Sequence, residues 1–288
     1  MKLINVLYKL ENRIGKYHEN GEVVLFKDYR SMLEIIDAVS DIPFKDREQF
    51  LNDALEEELI KVDEYKICAP IVETKRDVLC VGLNYSDHIK ESQSVTDRTG
   101  PDSDHTTYFG KRADFIRGTG DEIESPFELD PEVDYEVELT VIIGKKGKNI
   151  TRENALEYVF GYTIGNDISS RTLQRDHKQW YLGKGIDGYT SMGPSVLLNT
   201  DGKHRDFDLT SRVNGELRQN SNTAYMIKSV EDIIFEMSRG MTLFPGDIIM
   251  TGTPAGVGMG FKPGKFLKSG DTVECEIPGI GVLTNKIK

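Results

Sequence analysis

Acidic side chains recur at every second position of the segment Val133-Asp134-Tyr135-Glu136-Val137-Glu138-Leu139. On a β-strand, this spacing places Asp134, Glu136 and Glu138 on one face and the apolar side chains on the other. Residues two apart on a strand lie roughly 7 Å apart at the backbone, so two of the carboxylates can lean onto one ion. The same pattern also fits the exposed polar face of an amphipathic strand.

Further residues of the same chemistry follow downstream. Asp167 lies in a second apolar segment, residues 160–168, and Arg171 and Gln174 share one face of the helix predicted after it. Lys184 stands between two glycines. Oxygen ligands, a cationic clamp and an isolated lysine suit a divalent hard cation that holds a small anionic substrate. Arg171 is also explained by a solvated helix charge, and Lys184 by a lysine in a turn.

His88 and Glu91 are three residues apart in a segment with helical character, so they share a face and can hydrogen-bond. A carboxylate that holds an imidazole in one tautomer is the arrangement of a general base acting on water. The alternative is a surface His–Glu pair on a polar helix.

The glycine-rich stretch 252–258 invites a nucleotide-binding interpretation but does not fit it. No Gly-Lys-[Ser/Thr] follows, and Pro263 and Gly264 exclude the helix that a dinucleotide site requires. The stretch remains a plausible anion nest, in which Thr253 and backbone amides meet a carboxylate.

The composition of the whole chain limits its partners. A net charge of −12 over 288 residues, without a basic stripe, argues against a nucleic-acid partner. The three cysteines are widely spaced and include no CxxC pair, which favours a reducing, cytoplasmic compartment. No segment approaches about 20 apolar residues, so no membrane span is expected.

Residues 1–70 are predicted to form a small N-terminal α/β domain, and residues 71–288 a catalytic domain rich in strands. Residues 93–107 have no apolar periodicity and are predicted to form a mobile lid. Predicted helices cover residues 32–39, 46–61, 84–92, 151–159, 170–180 and 230–239. Predicted strands cover residues 3–10, 22–26, 77–81, 133–141, 248–250, 272–277 and 281–287.

Six motifs occur together in an order that resembles the fumarylacetoacetate hydrolase family. They are Cys80-Val-Gly-Leu-Asn-Tyr-Ser-Asp-His88-Ile-Lys-Glu91, Tyr108-Phe-Gly-Lys111, Asp134-Tyr-Glu136-Val-Glu138-Leu, Gly161-Tyr-Thr-Ile-Gly-Asn-Asp167-Ile-Ser-Ser-Arg171-Thr-Leu-Gln174, Lys184-Gly-Ile-Asp-Gly and Gly246-Asp-Ile-Ile-Met-Thr-Gly-Thr-Pro-Ala-Gly-Val-Gly258. The resemblance covers roughly residues 77–287. Residues 1–70 match the shared core poorly, and residues 93–107 are longer than in compact members.

The resemblance implies a site with three groups of residues. Glu136, Glu138 and Asp167 would bind Mg²⁺ or Mn²⁺, with open positions for a 2-oxo acid. His88 and Glu91 would activate water, and Lys184 would offset developing negative charge. The substrate-binding positions would be Arg171, Gln174, Thr253 and Lys111.

The resemblance also implies an α+β, mainly β fold, a mixed β-roll of packed sheets, in a homodimer. The leading functional hypothesis is hydrolytic C–C cleavage of a 2-oxo or 2,4-dioxo carboxylic acid. The alternatives are decarboxylation of an oxaloacetate-type acid and isomerisation of a 2-hydroxyhepta-2,4-diene-1,7-dioate-type acid, because all three reactions share an enolate. A non-catalytic metabolite-binding member is the remaining hypothesis.

Overall fold

The computed structural model describes residues 1–95, 106–114 and 116–288. Most of the predicted lid, residues 93–107, lies outside these ranges, so the lid stays a prediction. The described residues contain far more strand than helix, which confirms the predicted mainly β class.

The strands, in chain order, are β1 Lys2–Tyr8, β2 Glu11–Tyr17, β3 Val23–Phe26, β4 Leu55–Ile60, β5 Lys66–Cys68, β6 Val78–Gly82, β7 Thr107–Lys111, β8 Glu122–Ile123, β9 Val133–Asp134, β10 Val137–Ile143, β11 Val159–Asp167, β12 Ser169–Ser170, β13 Thr190–Leu198, β14 Asp208–Val213, β15 Glu216–Asn222, β16 Ile248–Met250, β17 Thr272–Ile277 and β18 Gly281–Ile287. The helices are α1 Met32–Val39, α2 Phe44–Asp53, α3 Ser86–Val95, α4 Arg171–Asp176, α5 Tyr181–Lys184 and α6 Val230–Gly240.

The largest sheet runs in the order β4-β3-β2-β1-β13-β11-β10-β16-β6-β7, and β5 pairs with β1. Its centre is formed by β10, β11 and β13, and every residue of β10 and β11 is buried. Strands covered on both faces are apolar on both faces, which explains the run Val-Ile-Ile at residues 141–143. Glu138 pairs with Gly165 in the β10–β11 register, and Asp167 ends β11.

A second sheet, β15-β14-β17-β18-β8, packs against the first. Leu139 and Val141 of β10 share one hydrophobic core with Leu209 of β14, Ile277 of β17 and Ile233 of α6. The carboxylate-bearing strand therefore has its apolar face fixed against this second sheet.

The first 70 residues continue the large sheet. Lys2 of β1 pairs with Leu197 of β13, and Phe26 shares a core with Phe160 and Met192. The segment is thus packed against the remainder through a sheet and a core. The division at residue 70 stays a prediction.

Several local predictions were wrong. The helix predicted over residues 170–180 ends at Asp176 and is followed by the separate short helix α5. The helix predicted over residues 46–61 ends at Asp53, because the following segment pairs as β4 with β3, Val23 opposite Ile60. Strand β2 was missed because Lys9 and Leu10, both at positive φ, form a tight turn without a glycine. Residues 151–159 contain one short 3₁₀ turn, Ala155–Tyr158, instead of an α-helix.

Candidate active site

Three carboxylates converge at the centre of the large sheet. Ligand oxygens of Glu136, Glu138 and Asp167 all lie within 4.8 Å of one another. The three residues are 5 %, 2 % and 0 % exposed, so the interpretation as an exposed polar strand face was wrong. The backbone fixes the cluster, because Asp167 N donates to Glu136 O at 3.0 Å and Glu136 N donates to Asn166 Oδ1 at 3.0 Å.

The predicted continuous strand is interrupted at Tyr135 and Glu136, between β9 and β10. Asp134 accordingly lies apart from the cluster and is fully buried. Its carboxylate accepts from Arg171 Nε at 2.9 Å, from Gly258 N at 2.6 Å and from Met259 N at 3.0 Å. Asp134 therefore holds Arg171, a role that the sequence did not suggest.

Two lysines and the arginine compensate part of the negative charge. Lys184 Nζ lies 2.7 Å from Glu136 Oε2 and 2.7 Å from Asp167 Oδ2. Arg171, the first residue of α4, places Nη1 2.7 Å from Glu136 Oε1. Lys184 and Arg171 are both buried. The interpretation of Lys184 as a turn lysine and that of Arg171 as a solvated helix charge were therefore wrong.

Lys111 ends β7 and is completely buried. Its ammonium contacts Asp167 and donates to Ile168 O at 3.1 Å and Tyr189 O at 2.7 Å. An ammonium has three donors, and all three are directed at protein oxygens. This geometry favours positioning of Asp167, and direct substrate contact by Lys111 stays a prediction.

The carboxylates differ in their electrostatic environment. Burial raises the pKa of Glu136, but the adjacent charges of Lys184 and Arg171 lower it by more than burial raises it. The net result is a pKa of about 2. For Glu138, burial and the adjacent carboxylates of Asp167 and Glu136 raise the pKa well above its ordinary value. The ammonium groups of Lys111 and Lys184 and the guanidinium of Arg171 contact Glu136 or Asp167, so Glu138 has the weakest compensation of the three carboxylates. A cation bound among these oxygens would supply the missing positive charge, and three carboxylate oxygens are ligands that a hard divalent ion prefers.

His88 and Glu91 lie on α3, as predicted, with His88 Nδ1 3.0 Å from Glu91 Oε2. The His88 side chain is 7 % and the Glu91 side chain 15 % exposed, which argues against a surface pair. His88 is close enough to Glu136 to lower the pKa of that carboxyl. The dyad therefore lies near Glu136, and Nε2 is the ring nitrogen that can exchange a proton.

Backbone amides of the loop 251–260 bind three of the site carboxylates. Gly252 N donates to Glu138 Oε2 at 2.7 Å, Gly256 N donates to Glu91 Oε1 at 2.9 Å, and Gly258 N donates to Asp134. Gly256 has φ +105°, and a Cβ there would collide with the carbonyl group of Arg218. The predicted anion nest is therefore a loop whose amides bind the protein's own carboxylates.

The remaining predicted substrate residues are close to this loop and to Arg171. Thr253 Oγ1 donates to Val137 O at 2.9 Å and accepts from Gln219 Nε2 at 2.7 Å. Gln174 Oε1 accepts from Arg171 Nη1 at 3.1 Å. Gln219 itself was missed, because it lies on β15, far from every motif in the sequence.

Comparison with known proteins identifies the family. A family model described as "Fumarylacetoacetate (FAA) hydrolase C-terminal" matches residues 77–288. The chain belongs to the fumarylacetoacetate hydrolase family. It is 43 % identical over 237 residues to the protein named oxaloacetate tautomerase YisK from Bacillus subtilis, covering 82 % of this chain and 77 % of that one.

Solved structures of the fumarylacetoacetate hydrolase family confirm the fold. The fumarylacetoacetate hydrolase from Exiguobacterium antarcticum is 38 % identical with a TM-score of 0.85, covering 100 % of this chain and 99 % of that one. A 2-hydroxyhepta-2,4-diene-1,7-dioate isomerase from Mycobacterium marinum is 29 % identical with a TM-score of 0.76, covering 100 % and 98 %. The first 70 residues therefore have structural counterparts, although the family match begins at residue 77.

Within the described residues, no helix combines the length and apolarity needed to cross a bilayer. The expected homodimer and the cytoplasmic location stay predictions.

Proposed function

We propose that this enzyme, with a bound Mg²⁺ or Mn²⁺, interconverts the enol and keto forms of a short 2-oxo dicarboxylic acid of the oxaloacetate type. The observation that carries the proposal is the buried cluster of Glu136, Glu138 and Asp167 beside a His–Glu dyad. The relatives support this choice among the reactions that share an enolate, because one is named an oxaloacetate tautomerase and one an isomerase.

Glu136, Glu138 and Asp167 would hold the metal ion. When bound, the ion supplies a Lewis acid for a 1-carboxylate and 2-oxo group and stabilises negative charge on the enolate oxygen. The remaining chemistry belongs to side chains of this chain.

Tautomerisation moves one proton between the enol oxygen and carbon 3 of the acid. His88 Nε2 would take the proton from one position and return it at the other, while Nδ1–H stays bonded to Glu91. Glu91 is itself fixed by the amide of Gly256. The imidazole orientation is therefore set before the substrate binds.

Two cations would recognise the charge of the substrate. Lys184 lies between Glu136 and Asp167 and can offset negative charge that develops during the reaction. Arg171 Nη2 is buried without a hydrogen-bond partner among the described residues. A buried guanidinium N–H without a partner is costly, and a substrate carboxylate would satisfy it.

The test follows enol-to-keto conversion of oxaloacetate by ultraviolet absorbance, on protein treated with EDTA and then supplied with Mg²⁺ or Mn²⁺. We expect turnover that depends on the added ion and is lost in Glu138→Gln. Conversion at the uncatalysed rate under all conditions would refute the proposal.

Hydrolytic C–C cleavage is the second candidate, favoured by the His88–Glu91 dyad, which can also activate water. Acylpyruvates assayed beside oxaloacetate distinguish the two reactions. Release of pyruvate with a higher kcat/KM than tautomerisation would favour the hydrolase, and CO₂ release from oxaloacetate would favour a decarboxylase.

A further inference from the structure

A single buried glutamine connects the second sheet to the site. Gln219 lies on β15 and is 0 % exposed. Its Oε1 accepts from Val137 N at 3.1 Å and from Ser211 Oγ at 2.9 Å. Its Nε2 donates to Thr253 Oγ1 at 2.7 Å and to Pro254 O at 2.8 Å. All four hydrogen-bonding positions of the amide are therefore used.

The partners of Gln219 belong to two different parts of the site. Val137 is the first residue of β10 and stands between Glu136, which directly precedes that strand, and Glu138, which lies on it. Thr253 and Pro254 belong to the loop whose next glycine, Gly256, binds Glu91. One side chain thus sets the distance between the carboxylate strand and the loop.

The bonds of Gln219 also fix the direction of the Thr253 hydroxyl. Because Thr253 Oγ1 accepts from Gln219 Nε2, its single proton is directed to Val137 O. Only a side chain that both accepts and donates twice can make this set of bonds. Glutamate lacks the donors, and methionine lacks both functions.

We propose that Gln219 is a positioning residue, which fixes Thr253 and its loop against β10, beside Glu136 and Glu138, and thereby sets the affinity for the carboxylate end of the substrate. The proposal deepens the function proposed above and rests on it for the identity of the substrate. It also holds for any small 2-oxo acid or its mimic bound at this site.

The test is a double-mutant cycle of Gln219→Met and Thr253→Val, read out as the Kd of oxalate, by calorimetry, on Mg²⁺-loaded protein. Each single variant should weaken oxalate binding by roughly tenfold, because each loses hydrogen bonds that hold the loop of Thr253 against β10. The double variant should be no weaker than the weaker single one, because Gln219 acts through Thr253. Multiplicative effects, or an unchanged Kd in Gln219→Met, would overturn the proposal.

Two further variants separate positioning from folding. Gln219→Glu keeps the size and the acceptors but loses the donors to Thr253, so it should reproduce the loss and replaces Gln219→Met if that variant does not fold. Ser211→Ala removes a partner of Gln219 without touching the loop and should leave oxalate affinity within about twofold, below the scale of one hydrogen bond. A loss in Ser211→Ala equal to that in Gln219→Met would show a general packing effect and refute positioning.

Oxalate binding does not depend on which reaction is catalysed. A protein that binds oxalate as expected but does not convert oxaloacetate would contradict the proposed function and leave the role of Gln219 standing. Normal tautomerisation together with additive binding free energies in the double-mutant cycle would support the proposed function and contradict the proposed role of Gln219.

Discussion

Neutralising Glu138 and neutralising Glu136 should change the stability of the metal-free protein in opposite directions. The two carboxylates are two residues apart and belong to the same cluster. Glu136 contacts Lys184 and Arg171, whereas burial and two adjacent carboxylates raise the pKa of Glu138. The charge of Glu136 is compensated within the chain, and that of Glu138 largely is not.

The signs follow from the pKa of each folded carboxyl relative to the ordinary value of 4.5. For Glu138 the pKa is raised in the folded state. Its protonated form therefore contributes fully to the free energy of unfolding below the unfolded pKa, and this contribution is lost as pH rises toward the folded pKa. For Glu136 the folded pKa is lowered to about 2, so its contribution is present above the unfolded pKa and is lost as pH falls. At neutral pH the Glu138 carboxylate therefore destabilises the metal-free fold, and the Glu136 carboxylate stabilises it.

For Glu136 the magnitude follows from the lowering of its pKa from 4.5 to about 2, at about 1.4 kcal/mol per pH unit. At pH 7.5, Glu138→Gln should raise the free energy of unfolding and the Tm of the metal-free protein. Glu136→Gln should destabilise it by on the order of 3 kcal/mol. For a chain of this size, 1 kcal/mol corresponds to roughly 2–4 °C in Tm.

The assay is thermal unfolding of both variants and the parent in EDTA, at pH 7.5 and near pH 4, together with calorimetric titration of Mg²⁺. The higher Tm of Glu138→Gln relative to the parent should disappear near pH 4, where the Glu138 carboxyl of the parent is mostly protonated in both the folded and the unfolded state. Both variants should bind Mg²⁺ at least roughly 100-fold more weakly, since each loses a charged ligand. Unchanged Mg²⁺ affinity in Glu138→Gln, or a lower Tm of that variant in EDTA, would refute the reasoning.

Three further outcomes are expected. Lys184→Met should lower kcat by at least about tenfold and change the affinity for a neutral substrate analogue much less, and kinetic constants within twofold of the parent would remove Lys184 from the mechanism. His88→Ala should retain Mg²⁺ and oxalate binding by calorimetry but lose roughly 100-fold or more in turnover, so unchanged turnover would exclude the dyad. Burial lowers the pKa of His204, but hydrogen bonds to Glu231 and Asp206 raise it above its ordinary 6.5. His204→Ala should therefore lower Tm at pH 5.5 but not at pH 8.5, because the stabilisation is lost as pH rises through the folded pKa; an equal loss at both pH values would contradict this.

The sequence predicted the parts of the site that local spacing determines. The two-residue spacing of Glu136 and Glu138 and the three-residue spacing of His88 and Glu91 predicted that the members of each pair lie together, although Glu136 itself lies just before β10. The convergence of Asp167 with this strand required the β10–β11 pairing, which the resemblance supplied and the register explains.

What the sequence could not predict depends on contacts between distant segments. Gln219 and Thr253 are 34 residues apart, and nothing in the polar segment around Gln219 indicates a buried side chain. Asp134 belongs to the same acidic pattern as Glu136, yet the strand break at Tyr135 assigns it to Arg171. Strand β4 was predicted as a helix because its pairing with β3, not its acidic composition, decides its conformation.

The distribution of charge explains how so many carboxylates can be buried at one place. Glu136 and Asp167 each contact cationic side chains of the chain, and Asp134 is held by Arg171 and two backbone amides. Among the described residues, Glu138 accepts a hydrogen bond from the amide of Gly252 and forms no ion pair with a cationic side chain. Burying an uncompensated carboxylate is costly, and that cost is relieved only when the carboxyl is protonated or a cation binds. A bound cation should therefore relieve mainly the cost of burying Glu138, while the compensated carboxylates beside it keep the site folded before the ion binds.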